Sequence, residues 1–435
     1  MKIQRFEVTG LHGNEELIVL EFNEDLNILS GRNGAGKTTI LKLMWYLISG
    51  NFDKAVAEIN FSSAILTTDK YTLQVTINFD NKEVPFSSLL NINELSILKH
   101  MENDERLTKF VGKNSDMNIG WFLTQYIDSS FFMPTFRMIE GGFTTEKYDI
   151  KHDVIKELYL NLNSENDYND ISLALKKLSN NLTKKEHQFI TSISAKEIDI
   201  FLVKKYAEIM KKVNFYQTES VQLLSKKIKI MFRNQEQRDA DFFESLNKRI
   251  NFIQKEIKSL NEPLEKIKSA VKIFIPFFRI EFDQKIYFSK IDKDSELEKN
   301  NQYILENSYF EPALESIDTN IDKYLNSGSE THFDSLDFEN INTCDNDTIT
   351  INNLSAGEKQ LLTFVAYNIF HNDTIFFIDE PELSLHVDWQ NRLFSILKEQ
   401  NPTNQFIIST HSPFIYSLFP DKELVINYDK GCTEY

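Results

Sequence analysis

The chain has 435 residues, 41% of them apolar, and carries a formal charge of −17; at about 100 to 200 residues per domain that length fits two or three lobes rather than one small core. So acidic a balance argues against a surface coated for nucleic acid, and no apolar run is long enough, at about 18 residues, to span a membrane. Cys344 and Cys432 lie far apart and outside any Cys-x-x-Cys pair, which excludes a zinc hook, a disulfide framework and a redox motif and makes the cytoplasm the expected compartment.

In chain order, residues 2–8, 17–22 and 26–30 alternate or run apolar as strands do, with no signal-peptide core. A glycine loop follows, Gly-Arg-Asn-Gly-Ala-Gly-Lys-Thr-Thr at 31–39, and residues 39–48 have helical character ending near Gly50. Further strands are expected at 63–66, 71–79 and 130–134. From 153 to 273 glycine vanishes and the pattern becomes helical. Its clearest part runs from Phe243 through Leu246, Ile250, Ile253, Ile257, Leu260, Leu264 and Ile267 to Val271, alternating three and four residues apart. That seam reads as a short coiled-coil arm or as a long helix in a helical lobe, with Pro263 expected to kink or divide it. The charge is uneven. From Lys176 to Arg233 there are 13 basic and 5 acidic residues, whereas Asp292 to Asp347 holds 15 acidic and 3 basic. The basic block would contact nucleic acid or an acidic partner, or form the solvated face of the helical lobe. After the acidic segment come a strand at 348–351, a helix at 358–370, a strand at 374–378, a helix starting near His386 and a strand at 405–409. Alternation of this kind implies a parallel sheet flanked by helices.

Four motifs carry chemistry. In the glycine loop, Gly31, Gly34 and Gly36 let backbone N–H groups surround phosphates, Lys37 reaches the β and γ oxygens, and the Thr38 hydroxyl suits Mg²⁺. In Leu-Ser-Ala-Gly-Glu-Lys-Gln at 354–360, Ser355 and the backbone around Gly357 offer a second anion-binding helix start, and Ser355 with Glu358 also reads as a capping box. In Ile-Phe-Phe-Ile-Asp-Glu-Pro at 375–381, a buried strand delivers Asp379 to its carboxyl end to hold Mg²⁺, and Glu380 beside it can accept a proton from an attacking water; such an acid pair also caps helices. His411, in Ser-Thr-His-Ser-Pro after another apolar strand, can sense a terminal phosphate or serve structure alone.

In that order the four motifs resemble the Walker A, signature, Walker B with D-loop, and switch-histidine motifs of ABC-type ATPases. The helical insertion resembles the SMC, RecF and OLD branch, and Glu-Pro-Glu-Leu-Ser-Leu-His at 380–386 looks like the OLD-like ATPases. The resemblance implies an α/β fold: an ABC head, mostly parallel sheet with flanking helices plus an N-terminal antiparallel subdomain, carrying a helical or short coiled-coil insertion. It divides the chain into 1–150 and 274–435 as the two parts of the head and 151–273 as the insertion. It implies ATP and Mg²⁺ as cofactors, with Asn33 and Thr39 joining the loop glycines, Lys37 and Thr38 at the nucleotide, and Thr38 and Asp379 at the metal. Lys37, Glu380 and His411 are the implied catalytic residues. Two heads would pair head to tail, Ser355 and Gly357 serving the partner's nucleotide.

Three departures stand out. No glutamine follows the strand near 131–137 where a Gln-loop is expected, and Gln125 comes too early. The D-loop has Ser384, Leu385 and His386 where relatives show an aspartate. OLD nucleases continue into a Toprim domain, whereas little of this sequence follows His411, so nuclease activity is expected in a separate polypeptide. The leading expectation is therefore a homodimeric or higher-order ATPase, off the membrane, that switches a separate effector such as a Toprim or HNH-type nuclease, resembling the ATPase subunits of anti-phage systems of the PARIS and Septu types. The alternative is a DNA-repair ATPase of the RecF or SMC kind that clamps duplex DNA. A transporter subunit fits poorly with the long insertion.

Overall fold

The computed structural model describes residues 1–78, 85–92, 116–126, 129–135, 138–139, 167–233, 240–283, 285–290 and 348–426. Cys344, Cys432, the acidic stretch from Asp292 to Asp347, the expected helix start at 153–166 and the boundary at 150 lie outside those residues.

Alternating burial makes β1 (Ile3–Thr9) and β2 (Ile18–Glu21) two-faced strands, whereas β3 (Leu26–Ser30) is buried at every position, as a strand covered on both faces must be. The glycine loop then opens α1 (Lys37–Ile48), whose residues from Leu43 to Ile48 are all buried, so this helix runs through the interior. After α2 (Phe52–Glu58), the strands β4 (Ser63–Thr68), β5 (Tyr71–Ile77) and β6 (Phe86–Ile92) complete an antiparallel sheet in the order β2-β1-β4-β5-β6. Next come α3 (Asp116–Tyr126), β7 (Ser130–Met133) and the two-residue β8 (Met138–Ile139).

The stretch expected to be wholly helical is not. Between α4 (Asp167–Leu182) and α5 (Ala195–Arg233) lie β9 (His187–Phe189) and β10 (Ser192–Ile193). β9 is an edge strand of the central sheet, paired with β7, because His187 and Phe189 point inward and the Ser130 hydroxyl lies 2.8 Å from His187 Nδ1. Helix α6 (Ala240–Phe274) runs unbroken through Pro263, so the helix is not divided there. Proline removes one main-chain bond there, but the turns on either side are held by Leu260 and Leu264 against Ile209 and Val213 of α5. The apolar seam does bury: Leu246, Ile253, Leu264, Ile267 and Val271 are all shielded, so α5 and α6 form an antiparallel hairpin. At its base β11 (Phe278–Phe282), β12 (Ile286–Lys290) and β13 (Thr348–Thr350) make a small antiparallel sheet.

The remaining elements are α7 (Ala356–Phe370), β14 (Ile375–Asp379), α8 (Val387–Gln400), β15 (Gln405–Ser409), the short α9 (Pro413–Tyr416) and β16 (Glu423–Val425). The central sheet is all parallel, ordered β16-β3-β15-β14-β7-β9. Side chains alternate between two cores on its faces. Ile375 and Phe377 of β14 pack on the α1 side, and Phe376 and Ile378 on the side of α5, α6 and α7. Phe376 stacks at 5.2 Å on Phe131 of β7 and at 5.3 Å on Phe406 of β15, cross-strand contacts that favour one register. By the same parity Asp379 faces α1, and a slip of one residue would turn its carboxylate to the opposite core. Among the described residues no helix is long and apolar enough to cross a membrane.

Candidate functional site

The loop between β3 and α1 is shaped by its glycines. Gly31 has φ 143° and a Cβ there would lie 2.7 Å from the Ile426 carbonyl, while Gly36 sits at φ 86° as the residue before α1, a backbone that other residues adopt with strain. Asn33 and Gly34 form the exposed crest, and Thr39 is half-buried on the first turn of the helix. Lys37 is 6% exposed; its ammonium folds back under the loop and donates to the carbonyls of Gly31 at 3.0 Å and Arg32 at 3.2 Å. Burial lowers its pKa, while the charges of Glu380, Asp379 and Glu382 act the other way. Desolvation and three nearby carboxylates therefore meet at one ammonium.

Thr38 is exposed and its hydroxyl donates to Asp379 at 2.9 Å, across 341 residues of sequence. Asp379 is fully buried and also accepts from the hydroxyls of Ser409 and Thr135. All of these donors are oxygen, the set that suits a hard cation such as Mg²⁺. Among the described residues no group of three or more His, Cys, Asp or Glu is placed to hold a metal, so a cation here would need phosphate oxygens and water to complete its shell.

Glu380 follows directly, at φ 50°, a strained backbone for a side chain of that size. Its N–H donates to the Ser409 carbonyl at 3.0 Å, which holds the bend. Burial first, then a hydrogen bond with Glu382 and the charges of Glu382 and Asp379, push the Glu380 carboxyl up to about 8, against the pull of Lys37. His411 Nε2 lies 3.5 Å from Glu380 Oε1. The position of His411 is set by a residue absent from the sequence-based candidates: Glu382 Oε1 accepts from the Thr410 hydroxyl at 2.7 Å, the His411 N–H at 2.8 Å and the Ser412 N–H at 3.1 Å. Gln390 adds a second tie, accepting from the Ser412 hydroxyl at 2.6 Å and donating to the Leu385 carbonyl at 2.8 Å.

The loop residues, Lys37, Thr38, Asp379, Glu380 and His411 are thus brought to one edge of the sheet, where β3, β14 and β15 end. Ser355 and Gly357 have other partners. Ser355 accepts from the Glu358 N–H at 3.3 Å and donates its own N–H to the Glu358 carboxylate at 2.7 Å, the reciprocal capping box that the spacing predicts. A Cβ on Gly357 would lie 2.4 Å from the Ser384 carbonyl, and Gln360 donates to the Pro381 carbonyl at 2.9 Å, so the start of α7 is seated on the turn after β14. In that turn Ser384 has φ 69°, and His386 caps α8 by accepting from the Asp388 N–H at 3.3 Å.

The sequence-based reading missed Thr135, Ser409 and Glu382. Thr135 lies just past the end of β7, where the absent glutamine was sought, and its hydroxyl reaches the same carboxylate as Thr38. Ser409 carried a parity signal, since it pairs with Asp379 across β14 and β15. Glu382 carried only its place in Glu-Pro-Glu.

A glycine loop between a buried parallel strand and a helix, with lysine and threonine at the helix start and an Asp-Glu pair on a neighbouring strand, defines a P-loop nucleotide-binding domain. More particularly, the chain belongs to the AAA ATPase domain family (AAA_15), whose profile matches residues 1–416. The Retron Vc95 probable ATPase of Vibrio cholerae serotype O1 biovar El Tor is 34% identical over 91 residues, and that match spans 18% of this chain and 18% of the relative. Among solved structures, the Smc head domain with an extended coiled coil bound to the C-terminal domain of ScpA, from Pyrococcus furiosus, aligns at 12% identity over 96% of this chain and 91% of that one, with a TM-score of 0.36. An SmcHead bound to the C-winged helix domain of ScpA aligns at 11% over 96% and 92%, TM-score 0.41. The SMC head domain from Thermotoga maritima aligns at 10% over the same shares, TM-score 0.37.

Proposed function

We propose that this protein is a cytoplasmic ATPase that binds and hydrolyses ATP between two copies of itself and uses the cycle to control a separate effector. The observation carrying this reading is the convergence of Lys37, Thr38, Asp379, Glu380 and His411 at one sheet edge beside the helix start of α1. Loop N–H groups and Lys37 take the phosphates, supported by Asn33, Gly34 and Thr39. Thr38 and Asp379 would hold Mg²⁺, which, when bound, draws charge from the phosphate oxygens. Glu380, which the nucleotide-free fold keeps protonated up to about 8, ionises in the loaded site and there accepts the proton of the attacking water, and His411, within 3.5 Å, orients that water. The head comprises residues 1–150 and 274–435, with 151–273 inserted between them and lending β9 to the head's central sheet. Ser355 lies exposed at the start of a capped helix, with Gly357 buried one residue into it, and the two serve the nucleotide of the partner copy. The effector is of the Toprim or HNH nuclease class, and the setting is anti-phage defence; the partial match to a retron ATPase supports that setting.

The test is the oligomeric state of Glu380→Gln with ATP and Mg²⁺, measured by mass photometry. Dimers that form only with ATP, and that Ser355→Arg abolishes, are expected. A protein that stays monomeric at saturating ATP rejects the reading. A second reading, a repair ATPase closing over duplex DNA, is favoured by the basic helix α5.

A further inference from the structure

We propose that one flank of the α5/α6 hairpin binds single-stranded nucleic acid, with Phe215 and Phe252 stacking on bases and Lys204, Lys211, Lys226 and Lys229 meeting phosphates. The inference does not depend on the ATPase reading.

At about 100° per residue, positions 204, 211, 215, 222, 226 and 229 of α5 fall on one face. Four are lysine and one is phenylalanine, and all are exposed. Among the described residues none of the four lysines makes an ion pair, whereas the acids on the α5 side of this flank are engaged: Glu208 with Lys205 at 3.7 Å and Glu219 with Arg249 at 2.7 Å. The lysines therefore spread unneutralised charge along about 38 Å of helix at 1.5 Å per residue.

Phe215 is 67% exposed and Phe252 of α6 is 44% exposed. The Glu219–Arg249 ion pair and the bond from Lys227 to Asn247 at 2.9 Å fix the antiparallel register. Phe215 lies one turn before Glu219 and Phe252 one turn after Arg249, so both rings stand on the side of the hairpin where that ion pair lies, about one to two turns apart along the axis. Neither ring is loose. Tyr216 meets the Phe215 ring edge-on at 5.6 Å, and the Arg249 guanidinium lies 5.0 Å from the Phe252 centroid. Two braced aromatic rings standing in water forgo the burial that a fold normally captures.

A linear row of cations fits a linear polyanion, and the Phe215 ring and the Phe252 face turned away from Arg249 fit bases. A single strand offers both at once, because its bases are free to stack on any aromatic surface. A duplex hides its bases in its own stack, and an acidic protein surface matches the lysines but gives the rings no flat partner. The formal charge of −17 on the whole chain repels a polyanion elsewhere and confines it to this flank.

The test is fluorescence anisotropy with the full-length protein and labelled strands of about 20 nucleotides, poly-dT, poly-U and a duplex of equal length, between about 50 and 200 mM salt. Binding of either single strand ahead of the duplex is expected, with a log-log salt slope near −3 for about four phosphate contacts. Phe215→Ala and Phe252→Ala should each weaken binding about tenfold, Lys211→Glu with Lys226→Glu should flatten the slope, and Lys37→Ala should change nothing. Circular-dichroism melts of these surface variants should match the parent, so that lost binding is not lost folding. Absence of binding to both strands, equal affinity for the duplex, or full affinity in the double phenylalanine variant overturns the proposal. Equal duplex affinity would at the same time favour the DNA-clamp reading.

Discussion

Glu380→Gln should stabilise the nucleotide-free protein, and by more as the pH rises. Unfolded, Glu380 ionises near the ordinary 4.5; folded, it keeps its proton up to about 8. Between those values the native state binds more protons than the unfolded one, so stability falls as pH increases through that window, and the loss is complete above about 8. Each tenfold displacement is worth about 1.4 kcal/mol, which sets a ceiling near 5 kcal/mol. The side chain is 16% exposed and so partly screened by solvent, which makes about 1–3 kcal/mol the gain expected at pH 8.5. Glutamine has nearly the same shape at the same strained φ and does not ionise, so the comparison isolates charge. Urea unfolding of both proteins at pH 5.5, 7 and 8.5 in EDTA measures it. Curves that coincide at pH 8.5, or a gap that closes as the pH rises, would refute the reasoning.

Other changes probe other contacts. Glu382→Ala removes the acceptor that holds residues 410–412, and should lower ATP turnover about a hundredfold with KM for ATP within about threefold; phosphate release assays check this, and an unchanged kcat contradicts it. Gly357→Ala places a methyl group 2.4 Å from a main-chain carbonyl; the helix-propensity gain of about 1 kcal/mol is outweighed by a packing cost of about 1–3 kcal/mol, so the melting temperature should fall. Burial raises the Asp25 carboxyl, but hydrogen bonds from Lys398 and Lys422 outweigh it and hold Asp25 at about 2. Asp25→Asn should therefore cost about 1 kcal/mol above pH 4, allowing for its 34% exposure, and the difference should vanish as pH falls toward 2 in denaturant titrations.

The four motifs were legible because each is a local pattern whose chemistry needs neighbouring residues, and the strands feeding them are short apolar runs. The observed β3, β7 and β15 agree with the expected spans to within a residue. What sequence could not supply was lateral order. Thr135 and Ser409 meet Asp379 only because β7 and β15 flank β14, and no pattern in either strand encodes its neighbour. β9 escaped notice because three residues between helices carry too little periodicity to stand out. Pro263 suggested a division that does not occur: the cost of one missing main-chain bond is visible in the sequence, while the packing of Leu260 and Leu264 that offsets it depends on a helix about fifty residues earlier.

The place of β3 has a consequence for synthesis. Its two sheet neighbours, β15 and β16, come from residues 405–409 and 423–425, so at about 5–20 residues per second the strand and the glycine loop it carries wait some tens of seconds after emerging. During that interval the α5/α6 hairpin, whose contacts are nearer in sequence, can already fold, while a five-residue strand that the fold buries at every position stays open to strangers. Cells making this protein quickly should need a chaperone to guard residues 26–30, and truncation before residue 405 should yield aggregates rather than a smaller folded head.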